Sequence, residues 1–165
     1  MKTWMKVLLV TLLVGIPTIP LGQVLWQVPA GGMDMGPAPS GMQIAFLIGV
    51  SVFDGLAFGL GVAFLVFGYP LVQRLADGSR TLAIAAQLSI VWFLVSWWPH
   101  SNLHRTIGAD YNSLIAIEYG FHITLMIGAA IVAYAFVRAL PRLTQQDTTV
   151  PAKADLRGAE GSVTA

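Results

Sequence analysis

The chain has 165 residues, 56% of them hydrophobic and only 10% charged, with a mean hydropathy of +0.72; a soluble domain carries about 25% charged residues, so this composition belongs in lipid. A formal net charge of +1 without a basic patch points to no nucleic-acid partner. The lack of cysteine excludes disulfides, thiolate metal sites and cysteine nucleophiles, leaving histidine, carboxylate and methionine as ready ligands for a transition metal.

Four apolar spans follow one another at about 7–26, 42–69, 81–98 and 113–140. Each is near or above the roughly 20 apolar residues that a membrane-crossing helix needs. The expected fold is all-α: a polytopic membrane protein, its four transmembrane helices bundled within residues 1–140. The second and fourth spans are long enough to tilt or protrude.

The first span follows Lys2 and Lys6 and contains Pro17 and Pro20. A cleaved signal peptide shares the basic start and apolar run. This run is longer than a signal core, and the small residues near 28–31 make a poor cleavage site, so it reads as an uncleaved helix. The loop at 27–41 is rich in Gly, Pro and Met. Its Met33, Asp34 and Met35, with Met42, offer soft donors suited to copper(I). Methionines in such a loop are more often incidental.

In the second span Asp54 stands beside Gly55 and Gly59, a small-xxx-small pair that lets two helices approach closely. The third span carries Gln87, read as interhelical hydrogen-bonding glue. A polar stretch after it holds His100, His104, Arg105 and Asp110, and Pro99 suits the start of a short interfacial helix with both histidines on one side. The fourth span carries Glu118, His122 and Met126 at four-residue spacing, hence on one face. Beyond it, residues 141–165 are polar and aperiodic and read as a disordered cytoplasmic tail.

Basic residues set the expected orientation. Lys2, Lys6, Arg74, Arg80, Arg138, Arg142, Lys153 and Arg157 share one side of the four spans, and only Arg105 lies on the other. The positive-inside rule makes the crowded side cytoplasmic. The expectation is therefore a multi-pass cell-membrane protein with both termini inside and the histidines near the outer surface.

Depth along the helices refines this. Asp54 is 15 residues from Tyr69 and His122 is 16 from Arg138, so both lie roughly 22–24 Å from the inner boundary. That predicts Asp54 beside His122, with His122 as the buried histidine. His100, His104, Glu118 and His122 form a candidate metal site for zinc, copper or iron. Asp54 would be its proton relay or outer partner. Bis-histidine haem fits less well, because His122 alone lies deep. The bland alternative is a hydrogen-bonded cluster that satisfies a buried carboxylate; His100 and His104 taken singly suit a structural or solvated role.

Neither a phosphate-binding loop, a nucleophile elbow nor an HExxH motif is present, and no enzymatic reaction is indicated. Three functional readings remain: a metal- or cofactor-binding accessory of a redox or metal-handling system, a non-catalytic subunit or scaffold, and a small proton-coupled permease. Other membrane subunits or a second copy of the chain are the protein partners that such readings imply.

Overall fold

The computed structural model describes residues 1–27, 40–76, 78–107 and 110–146, with side chains to 141. It is helical, with no strand among the described residues. The helices are α1 (Thr3–Leu25), α2 (Met42–Phe67), α3 (Tyr69–Leu75), α4 (Arg80–Val95), α5 (Trp97–Ile107) and α6 (Tyr111–Gln146). Three of them, α1, α2 and α6, are long and apolar enough to cross a membrane, and α4 with α5 forms a fourth candidate span bent by 43°.

The distribution of side chains fits a protein solvated by lipid. Its buried apolar positions are small: Ala63, Ala76, Ala83, Ala86, Ala135 and Ala139, with Val72 the one larger member. Large apolar residues such as Leu13, Phe46, Phe53 and Met126 point outward. Water would drive the reverse arrangement. Between helices in lipid there is no hydrophobic drive, and small residues win the interface because they let backbones close up.

Glycine makes the closest contact. A Cβ on Gly15 would lie 2.7 Å from the Gly55 carbonyl oxygen, and one on Gly55 would lie 2.8 Å from that of Gly15. Gly59 meets the backbone of Thr11 in the same way. The small-xxx-small pair therefore does join two helices, α1 and α2. From there the order of packing is α2 against α4 and α4 against α6; among the described residues α2 and α6 do not touch.

Three prolines explain where the spans depart from the sequence boundaries. Pro70 has no N–H for the Val66 carbonyl, and its ring crowds that carbonyl, so the helix expected over 42–69 ends at Phe67 and restarts as α3. Gln87, buried on α4, donates from Nε2 to the carbonyls of Phe64 and Leu65 at 3.2 and 3.0 Å and steadies this broken end. Pro99 bears the same relation to Val95. The span expected over 81–98 accordingly stops at Val95, and the chain turns at Ser96 into α5. Pro141 has the opposite outcome: α6 runs through it to Gln146, so residues 141–146 are helix rather than the expected tail. Residues 147–165 and 28–39, including the Met33-Asp34-Met35 run, lie outside the described residues.

Candidate metal centre

The bend at Ser96 swings α5 away from the axis of α4 and across the ends of α1, α2 and α6. Residues four apart on a helix share a face, so α5 presents His100 and His104 together toward α6. On α6, Glu118 and His122 are likewise four apart. Asp110, immediately before α6, starts that helix: its carboxylate accepts the Ser113 hydroxyl, and the amides of Asn112 and Ser113 face it as well. These bonds, the Ser113 hydroxyl foremost, hold its carboxyl below the usual range.

Glu118 is the hub. His104 Nε2 lies 2.8 Å from Glu118 Oε1, and His100 Nε2 lies 3.8 Å from the same oxygen. The two Nε2 atoms are 3.1 Å apart. His122 Nδ1 is 2.8 Å from the other oxygen, Glu118 Oε2. His100, His104 and Glu118 thus each offer one ligand atom to a common point, all within 4.8 Å of one another. Aromatic rings floor the site: Phe121 packs 4.9 Å from the His100 ring and stacks 5.6 Å from Trp92.

Those separations can be compared with what a metal requires. Zinc bonds imidazole nitrogen at about 2.0–2.1 Å, which in a tetrahedron puts ligand atoms roughly 3.3 Å apart. The three separations seen, 2.8, 3.1 and 3.8 Å, bracket that value. Hydrogen bonds alone serve the triangle poorly. His104 Nε2 has at most one proton, to share between a carboxylate oxygen and the His100 nitrogen, whereas a cation at the centre would accept a lone pair from all three.

Packing within the protein ranks the histidines differently from depth along the helices. His122, expected to be the buried one, has the most open side chain at 55% exposure, and His100 the most enclosed at 15%. The reason is the neighbour order: among the described residues α6 packs against α3, α4 and α5 and not against α2, so His122 has the His100 ring 5.7 Å away on one side but not the α2 face expected to enclose it. Met126, further along that face, is also exposed.

Asp54 is not beside His122. It is buried on α2 and lines one pocket with Trp98, Ser101, Asn102 and Arg105 of α5. A second polar network, not foreseen from the sequence, occupies this other face of α5. Arg105 donates to Gln23 Oε1 at 2.6 Å and lies 3.5 Å from Asn102 Oδ1, while Asn102 Nδ2 donates to the Trp98 carbonyl at 2.7 Å. Trp98 Nε1 in turn donates to the Thr18 carbonyl at 3.0 Å, tying α5 to α1. The signal was available in the spacing, since Trp98, Ser101, Asn102 and Arg105 recur at helical intervals one step round from the histidines.

The chain matches no protein-family model, no curated protein and no solved structure. Its class is what the helices and the cluster define: a helical protein fit for a membrane, with a His/Glu cluster where α5 meets α6.

Proposed function

We propose that this is a multi-pass cell-membrane protein that binds one divalent first-row metal ion through His100 Nε2, His104 Nε2 and Glu118 Oε1. The observation that carries the reading is the convergence of those three atoms at separations a tetrahedral ion would bridge. Two imidazoles and a carboxylate leave the fourth position of zinc open to water or a substrate. Copper(II) would bind the same donors more tightly wherever it is available. His122 is then an orienting residue: its Nδ1–H holds Glu118 Oε2 and so aims Oε1 at the ion. The imidazole rings touch edge to face, 4.5 Å between the centroids of His100 and His104, which leaves no slot for a porphyrin between them.

In this reading α4 and α5 together make the fourth crossing, both termini are cytoplasmic, and the metal faces the outer surface. The activity served is handling or sensing of metal by a membrane system rather than turnover of a bulky substrate. A second reading has one observation in its favour. Glu118 already accepts from His104 and His122 at 2.8 Å each, so the cluster could pin α5 to α6 without a ligand.

Elemental analysis of the gently extracted protein separates the two. Metal binding predicts near-stoichiometric ion after zinc loading, lost in His104→Ala. The scaffold reading predicts no ion in either protein, and loss of abundance in the variant.

A further inference from the structure

Opposite the metal centre, α5 closes a cavity of about 140 Å³ between α1 and α2. Asp54, Ser101, Asn102, Arg105 and Gln23 all line it, Asp54 and Asn102 buried and Gln23 exposed. Through residues common to both, this pocket widens into a groove of about 510 Å³ between α1 and α2, walled by Ile19, Pro20, Leu47 and Ile48. Ile19, Gln23, Leu47, Ser51 and Arg105 line both parts, so charged, polar and apolar walls face one continuous cleft, and Asp54 lines its smaller part.

Its two charges are oddly placed. Asp54 and Arg105 line one small space, yet the described residues hold no ion pair between them. Arg105 is bonded instead to the neutral amides of Gln23 and Asn102. Asp54 is buried, and a charge buried there calls for a partner. A head group that carries both an ammonium and a phosphate offers Asp54 and Arg105 each a partner of opposite charge.

We infer that this cleft is a binding site for a membrane phospholipid with a primary-amine head group. The ammonium reaches Asp54 and the Ser101 hydroxyl, the phosphate meets the Arg105 guanidinium, and an acyl chain lies in the groove of Ile19, Pro20, Leu47 and Ile48. Guanidinium suits phosphate because its fork of donors matches two phosphate oxygens. A choline head is disfavoured, since its methylated nitrogen has no proton to donate to Asp54. A glycerol head puts no positive charge there. The apolar groove argues for a lipid over a free zwitterion from water.

The test is native mass spectrometry of the full chain released from micelles doped equally with phosphatidylethanolamine, phosphatidylcholine and phosphatidylglycerol. The ethanolamine lipid should be retained over each of the others by about tenfold, falling to parity in Asp54→Asn and in Arg105→Gln. Ser101→Ala, a milder change, should reduce the preference partway, and His104→Ala should leave it intact, because the metal centre is on the other face of α5. Unchanged gel-filtration elution and circular dichroism of the cleft variants show that they are folded. Parity in the wild type, enrichment of phosphatidylglycerol, or a preference that survives both charge variants would overturn the inference. So would tight binding of soluble phosphoethanolamine with no lipid retained.

Discussion

Glu118 separates the metal account from a packing account at the level of one residue. Glu118→Gln keeps the shape and one carbonyl oxygen but loses the charge. A cation site should weaken far more than a neutral hydrogen-bonded cluster would. The expected outcome is loss of stoichiometric zinc after gel filtration with α-helical content unchanged, read by elemental analysis and circular dichroism. His122→Ala should be gentler. Losing a partner that only orients a ligand typically costs 10–100-fold in affinity, so a competition titration with a chelator of known strength should show weaker binding rather than none. Binding also needs neutral imidazoles and an ionised carboxylate and releases protons as it forms. Acid therefore opposes it: occupancy at fixed zinc should fall as pH is lowered and return when pH is restored.

At the scale of elements, the glycine contact between α1 and α2 and the glutamine brace at the end of α2 make contrasting predictions. Gly55→Leu must push apart two backbones whose atoms already approach a hypothetical Cβ at 2.8 Å. Overpacking of this kind costs about 1–3 kcal/mol, enough to lower the thermal midpoint of the detergent-solubilised protein clearly. Gln87→Leu removes two hydrogen bonds to Phe64 and Leu65. Such bonds within membranes average only about 0.6 kcal/mol each, so the shift should be smaller than for Gly55→Leu. A larger effect for Gln87→Leu would mean that the broken end of α2, rather than the glycine contact, limits stability.

The same elements show how much the sequence alone made legible. Apolar runs located the long helices, because a hydrocarbon solvent demands about 20 apolar residues and tolerates little else. Gly55 with Gly59 announced a close contact, but not that Gly15 of α1 would be its partner. Pairing was the weak point. Equal depth placed Asp54 beside His122, whereas depth says nothing about which helices are neighbours, and α4 separates α2 from α6. The four-residue spacings of His100 with His104 and of Glu118 with His122 carried real information, since both pairs do share a face. That they would meet depended on the Pro99 bend, whose direction no periodicity encodes.

For the whole molecule, the account makes α1, α2, the bent α4–α5 pair and α6 four crossings, with the metal centre at the outer surface. The natural absence of cysteine makes the test clean. Single substitutions Thr3→Cys, Ser79→Cys and Asp110→Cys can each be probed with an impermeant maleimide in intact cells. Four crossings predict labelling from outside at position 110 alone, with positions 3 and 79 reacting only after lysis. If α4 and α5 instead made a re-entrant excursion, positions 79 and 110 would label from the same side.

Whether the His/Glu cluster holds a metal is decided most directly by the zinc content of the purified wild-type chain beside His104→Ala. Both are loaded with zinc, freed of excess by gel filtration and analysed for the ion per mole of protein. The account predicts about one ion per wild-type chain and background in the variant, with both proteins eluting alike. Background in the wild type, or equal content in the two, would contradict it.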